Sequence, residues 1–133
     1  MEQALVEKLI ETAIAQLKYS YAPYSHFKVG AALLTQDGKL YTGCNIENAA
    51  YGPTLCAERA ALAKAVSEGR REFTAIAVAG RGTDYCWPCG VCRQVLYEFA
   101  PDLTVLVARG DGQYVKLPLG ELLPHGFGPA SLN

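Results

Sequence analysis

Apolar positions in the first part of the chain recur at intervals of three and four residues, which is the pattern of an amphipathic helix. They are Leu5, Leu9, Ile10, Ala13, Ile14 and Leu17. This pattern predicts a first helix over residues 2–19. Two apolar runs at 29–34 and 40–46 flank a polar turn at 36–39 and predict a β-hairpin. A second helix is expected to begin at Cys56 and to end at Gly69.

The second half of the chain alternates short apolar runs with stretches of helix-forming residues. The pattern predicts a third strand over 73–79, a third helix over 88–99, a fourth strand over 103–108, a fifth strand near 114–116 and a short helical segment at 119–123. Helices between the later strands favour one sheet covered on both sides. We therefore expect a single α/β domain over residues 1–133, a three-layer α/β/α sandwich around a mixed five-stranded sheet.

Composition narrows the function classes. Apolar residues make up 50% of the 133 residues and the formal net charge is -1, so the chain lacks the basic surplus that draws proteins to nucleic acid or to anionic membranes. The first residues mix acids with a base, unlike a secretory signal, and no apolar run approaches the roughly 20 residues that span a bilayer. These features predict a cytoplasmic protein whose partner is a small molecule.

Five cysteines in such a chain indicate metal or catalytic chemistry more than a disulfide framework. Cys56 opens the second predicted helix, and Cys89 and Cys92 form a Cys-x-x-Cys pair where the third helix begins. Three thiolates on one zinc ion leave one position for water, which is the catalytic arrangement of this metal. Two helix N-termini, each worth roughly half a positive charge, and Arg59 can offset the surplus negative charge. Glu58 follows the first ligand by two residues, so its carboxylate can act as a proton shuttle without ligating.

Two other metal arrangements are open on the residues alone. Cys86 or Cys44 could complete a closed four-cysteine structural site, and Cys86 with Cys89 is a second Cys-x-x-Cys pair. Trp87 and Pro88 follow Cys86, whereas helix formers follow Cys89, which favours the later pair. The alternative outside the enzymes is a binding module that zinc stabilises, in which Glu58 only complements the positive charge of a helix N-terminus. The two histidines, at 26 and 125, have no ligand partner at metal spacing and are interpreted as ordinary loop residues.

The residues Cys-Ala-Glu-Arg at 56–59 and Pro-Cys-Gly-Val-Cys-Arg-Gln at 88–94 resemble the signature of the cytidine deaminase family. The resemblance extends through 27–32 and 45–49 to the tail at 127–129. It implies zinc-dependent hydrolytic deamination of cytidine and deoxycytidine in pyrimidine salvage, with one zinc ion per subunit. Zinc would be held by Cys56, Cys89 and Cys92. Glu58 would carry a proton from water to the pyrimidine N3 and then to the departing amine.

The resemblance also implies a substrate pocket. Asn45 and Glu47 lie two apart at the end of a predicted strand, so their side chains point to one side, and a carboxylate with an amide suits a ribose diol. By resemblance these two residues hold the sugar, Phe27 stacks on the base, and Ala57 also contacts the substrate. Three more residues would complete a neighbouring subunit's pocket in a homotetramer with shared active sites: Ala49, Tyr51 and Phe127.

Two enzyme classes remain as alternatives to a deaminase of free nucleosides. A blasticidin S deaminase would share the three-cysteine site, but the segment Asn-Ile-Glu-Asn at 45–48 argues against it. Deaminases of cytosine nucleotides or of tRNA more commonly begin the site with His-x-Glu and carry basic contacts to phosphate. Neither feature is present near Cys56 or Asn45.

Overall fold

The computed structural model, which describes residues 1–132, is built on a five-stranded sheet. The strands are β1 (Val29–Thr35), β2 (Leu40–Cys44), β3 (Phe73–Gly80), β4 (Thr104–Ala108) and β5 (Tyr114–Pro118). Their order across the sheet is β2-β1-β3-β4-β5. β3 and β4 run parallel, whereas the other neighbouring pairs are antiparallel. The sheet is therefore mixed, as the sequence predicts.

Helices cover both faces of the sheet. They are α1 (Gln3–Ala15), α2 (Ala57–Ser67), α3 (Gly90–Phe99) and the short α4 (Leu119–Leu122). Two 3₁₀ turns, at Gln16–Tyr19 and Pro129–Leu132, complete the described elements. None of the helices within residues 1–132 is long and apolar enough to cross a membrane.

The face that α1 covers is lined by small side chains. Successive residues of a strand alternate between faces, and every second residue of β3 on this side is an alanine, at 75, 77 and 79. The buried residues of α1 pack directly on them. At Gly30 on β1, a Cβ atom would lie 2.0 Å from the carbonyl oxygen of Ala13, so only glycine permits this approach.

The opposite face carries larger side chains, including Leu33, Ile76 and Val78, and packs against α2, α3 and α4. On this face, the absence of a side chain at Gly43 on β2 allows the first turn of α2 to lie directly against the strand. A Cβ atom at Gly43 would lie 2.3 Å from the carbonyl oxygen of Ala57 in the first turn of α2. The start of α2 is thereby held against the sheet, and the candidate site is built there.

The predicted three-layer α/β/α fold is confirmed, and several boundaries need correction. The predicted helix over 2–19 tightens into a 3₁₀ turn after Ala15. α2 and α3 begin one residue after Cys56 and Cys89, because both cysteines have extended backbone angles and serve as N-caps. β2 ends at Cys44 rather than at residue 46, because Ile46 leaves β1 and pairs with Tyr21 and Leu55 instead.

Candidate metal and substrate site

Three cysteine sulfurs meet between the starts of α2 and α3. We call Cys56, Cys89 and Cys92 the thiol triad. The Sγ atoms of Cys56 and Cys89 lie 3.8 Å apart, those of Cys89 and Cys92 lie 3.4 Å apart, and all three lie within 4.8 Å of one another. The backbone N–H of Cys92 also donates to Cys89 Sγ at 3.4 Å, as expected for an N-cap. Two helix N-termini therefore point their partial positive charge at one cluster of sulfurs.

The surroundings of the triad favour ionisation of the Cys56 thiol. The pKa of Cys56 is lowered to about 5, first by a hydrogen bond from the Cys92 thiol and then by the guanidinium of Arg59. Arg59 Nη2 donates to Cys56 Sγ at 3.3 Å and to the carbonyl oxygen of Thr54 at 3.4 Å. The same hydrogen bond to Cys56 raises the pKa of Cys92. A metal cation among the sulfurs would allow the remaining thiols to ionise as well.

Glu58 lies beside the triad in the first turn of α2 and is only 3% exposed. Its Oε1 atom is buried and has no hydrogen-bond partner among the described residues. Burial raises the pKa of this carboxyl to about 7, and the negative charge of Cys56 adds to the rise. A buried carboxylate oxygen without a partner is costly, so this atom marks a place for a polar group that is not part of the chain.

The donor set fits zinc. Tetrahedral zinc with sulfur ligands at about 2.3 Å requires sulfurs about 3.8 Å apart, which is close to the spacing of the triad. Three thiolates leave the fourth position open, and Glu58, which carries the unpaired oxygen, lines the same cavity as Cys56 and Cys89. Zinc would supply Lewis-acid activation of a water molecule at that position.

A cavity of about 330 Å³ opens above Glu58 and Cys56. Its volume lies within the range of small-molecule sites. The sequence-predicted residues that line it are Phe27, Asn45, Glu47, Cys56, Ala57, Glu58 and Cys89. Segments that are distant in the chain therefore form one pocket, which contains Glu58, two cysteines of the triad and the polar pair Asn45 and Glu47.

The segment from Asn45 to Glu47 is held by non-local backbone pairing. Ile46 exchanges two backbone hydrogen bonds with Leu55, and Tyr21 bonds to the backbone of Asn45 and of Glu47. This extended backbone keeps the side chains of Asn45 and Glu47 on the cavity side.

The Asn45 side chain, 8% exposed, is largely occupied by the protein. Its Oδ1 accepts from the Val29 N–H at 3.0 Å and from the Ser20 hydroxyl, and its Nδ2 donates to Phe27 O at 2.7 Å. One amide N–H remains for a ligand. Asn45 therefore also fixes the backbone on both sides of Lys28, and with it the position of Phe27.

Three predicted pocket residues lie outside this cavity. Tyr51, 72% exposed, lines a neighbouring cavity of about 270 Å³ that shares Glu47 with the first. Ala49 lies on an exposed turn and lines neither cavity. Phe127 is 58% exposed, while its carbonyl oxygen accepts from Gln94 Nε2 at 2.7 Å and tethers the tail to α3. Within one chain, none of these three residues lines the cavity that contains Cys56, Glu58 and Cys89.

Sequence reasoning missed several residues of the cavity wall: Ser25, Val29, Thr54, Leu55, Cys86 and Trp87. Trp87 and Cys86 directly precede the Cys-x-x-Cys pair, so their place in the chain was an available signal. Burial raises the pKa of the Cys86 thiol to about 12, which leaves it unreactive. Cys44 lies apart from the triad and bonds to the carbonyl oxygen of Tyr19 at 3.4 Å.

The chain is similar to known proteins over most of its length. A family model described as the cytidine and deoxycytidylate deaminase zinc-binding region matches residues 3–108. A cytidine deaminase of Halalkalibacterium halodurans is 48% identical over 96% of this chain and 97% of its own. A probable cytidine deaminase of Dictyostelium discoideum is 46% identical over 99% of this chain and 90% of its own. The crystal structure of cytidine deaminase from Burkholderia pseudomallei, 48% identical, covers 96% of this chain and 100% of that chain with a TM-score of 0.88.

Proposed function

The chain belongs to the cytidine deaminase family, and on that premise we propose that it hydrolyses cytidine and deoxycytidine to the uracil nucleosides and ammonia. The family resemblance inferred from the cysteine motifs is thus confirmed. We further propose one zinc ion per chain, held by the thiol triad, a role in pyrimidine salvage, and a single catalytic domain over residues 1–133.

The observation that carries this proposal is the buried, unpaired Oε1 of Glu58, which lines the cavity close to three sulfurs at zinc spacing. In a structural zinc module the fourth metal position would be filled by the protein. Here burial keeps the Cys86 thiol protonated, and no protein group within residues 1–132 fills the fourth position; instead, the carboxyl group of Glu58, with a raised pKa, lies close to the triad.

Glu58 is the proposed proton carrier. A pKa near 7 allows its carboxylate to accept a proton from a water molecule and its carboxylic acid to donate that proton to the pyrimidine N3. The water oxygen then bonds to C4 and the carbon becomes tetrahedral. Glu58 next takes the remaining water proton and delivers it to the amine, the C4–N bond breaks, and ammonia leaves.

Other residues of the same cavity supply the proposed contacts to the nucleoside. The half-exposed Phe27 ring offers an apolar face for the base. The remaining N–H of Asn45 and the carboxylate of Glu47 provide a donor and an acceptor for sugar hydroxyls. The pKa of Glu47 is lowered, chiefly by the Ser25 side chain, so the group is ionised at neutral pH and disfavours a substrate phosphate. The substrate class that fits is a free nucleoside.

The exposed aromatic residues support a homotetramer with shared active sites. Tyr51 and Phe127 expose large apolar side chains that a monomer leaves in water. Burying such a side chain contributes about 2 kcal/mol. We propose that Ala49, Tyr51 and Phe127 complete the open mouth of a neighbouring subunit's cavity.

One experiment tests the function against the rival binding module. Zinc content and the release of ammonia and uridine from cytidine are measured on one anaerobically purified sample. We expect one zinc ion per chain together with turnover. Stoichiometric zinc without turnover would support the binding module and contradict the proposal.

A further inference from the structure

Glu47 receives three hydrogen bonds from two consecutive residues of the loop before β1. The backbone N–H groups of Tyr24 and Ser25 donate to Oε1 at 3.0 and 3.1 Å, and the Ser25 hydroxyl donates to Oε2. Each carboxylate oxygen has two lone pairs. Oε1 is therefore fully used, and Oε2 keeps one acceptor position for a ligand.

The Ser25 hydroxyl also accepts a hydrogen bond from the Phe27 N–H at 3.0 Å. Its single proton is used on Glu47, so it has no proton left to donate to a ligand. One hydroxyl thus connects the proposed sugar-binding carboxylate with the backbone of the proposed base-stacking residue. No motif in the sequence singles out this serine.

We propose that Ser25 is a positioning residue that acts through Glu47: its hydroxyl fixes which lone pair of the carboxylate faces the cavity and thereby sets the preference for nucleosides that carry ribose hydroxyls. This role rests on the proposed deaminase function. The substrate class it selects carries at least one free sugar hydroxyl and no negatively charged group at that end.

A role in holding the loop together is separable from this one. Asn45 independently anchors the same loop through Phe27 O and the Val29 N–H, and the backbone N–H groups of Tyr24 and Ser25 do not need the serine side chain. A Ser25→Ala protein should therefore fold and keep its zinc. It loses the proton donor on Oε2, so the carboxylate can rotate and its free lone pair is no longer directed at a sugar hydroxyl. It also loses the acceptor of the Phe27 N–H, but Asn45 still holds the Phe27 backbone through its carbonyl oxygen.

The test is a comparison of two substrates on the zinc-loaded enzyme, cytidine and 2′,3′-dideoxycytidine, which lacks the diol. For Ser25→Ala we expect the cytidine KM to rise about tenfold with kcat changed less than about twofold. The KM and kcat for 2′,3′-dideoxycytidine should each change less than about threefold. Ser25→Thr, which keeps a hydroxyl, should restore the cytidine KM. The matched control is Ser67→Ala, which removes a hydroxyl that bonds to Lys64 O at 2.9 Å at the far end of α2.

A double-mutant cycle shows whether Ser25 acts through Glu47. In the Glu47→Gln background, Ser25→Ala should raise the cytidine KM less than about twofold further. Trp87 is the only tryptophan of the chain and lines the cavity, so its fluorescence can report the binding of uridine independently of turnover.

Three results would overturn the proposal. The first is an equal rise in KM for both substrates in Ser25→Ala. The second is a full tenfold rise in the cytidine KM when Ser25→Ala is made in the Glu47→Gln background. The third is an unfolded Ser25→Ala protein, which would show that the hydroxyl holds the loop itself together. Failure of the proposed function has another signature, because the unsubstituted protein would then release no ammonia from cytidine.

Discussion

Replacing Gly43 by alanine tests how the sheet positions α2, the helix that carries the proposed proton carrier Glu58. A Cβ atom at this position would lie 2.3 Å from the Ala57 carbonyl oxygen and 2.6 Å from the Ala61 nitrogen. Both are backbone atoms of α2, so no side chain can rotate to make room. Reaching ordinary contact distance requires the helix to move by about 1 Å.

Two measurable losses follow from that displacement. Overpacking of this kind typically lowers the free energy of unfolding by about 1–3 kcal/mol. Glu58 lies in the displaced first turn and Cys56 caps it, and a misplacement of about 1 Å at a catalytic group can cost about 10²-fold in rate. We therefore expect Gly43→Ala to be both less stable and, while still folded and zinc-loaded, at least about tenfold less active.

The assay is urea unfolding together with steady-state kinetics on cytidine. Gly120→Ala is the matched control, because a Cβ atom there would have no neighbour within 4 Å and α4 tolerates alanine. The control should unfold at or slightly above the midpoint of the unsubstituted protein. If Gly43→Ala matched Gly120→Ala in both stability and kcat, contact between β2 and α2 would not be what positions the site.

Three further predictions address the metal, the sugar and the assembly. Cys44→Ser and Cys86→Ser should keep full zinc occupancy, whereas alanine at any position of the thiol triad should lower it; zinc loss in Cys86→Ser alone would favour a four-cysteine site. Glu47→Gln should lower kcat/KM for cytidine at least about tenfold at unchanged zinc content, and free cytosine serving as well as cytidine on the unsubstituted protein would refute the sugar role. Mixed oligomers of Glu58→Gln and Phe127→Ala chains should exceed the summed activity of the parents if sites are shared. If Phe127→Ala is severely impaired and mixing yields no gain, that sharing is refuted.

The fold was predictable because most of its signals are local. The three- and four-residue periodicity of α1 and the short apolar runs at the strands each report the burial of one element. The thiol triad was predictable for a similar reason. Cys56 and Cys89 sit at helix starts, and a zinc site needs such donors at short spacing.

What could not be predicted depends on non-local hydrogen bonds. Asn45 is read from sequence as a sugar ligand, yet most of its hydrogen bonds go to residues 16 to 25 positions earlier in the chain. Ile46 leaves the predicted strand because Tyr21 and Leu55 offer it other partners. Ser25 acquires its contacts to Glu47 only through the folded loop. None of these pairings has a periodic or compositional signal in the sequence.

The central claim is that Glu58 moves protons at a three-thiolate zinc site and is not itself a ligand. Its most direct test is zinc content and cytidine turnover measured on the same Glu58→Gln sample. We predict full zinc occupancy with kcat lowered by at least about 10²-fold, the scale of a lost general acid–base group. Zinc-replete Glu58→Gln protein with the activity of the unsubstituted enzyme would contradict the account.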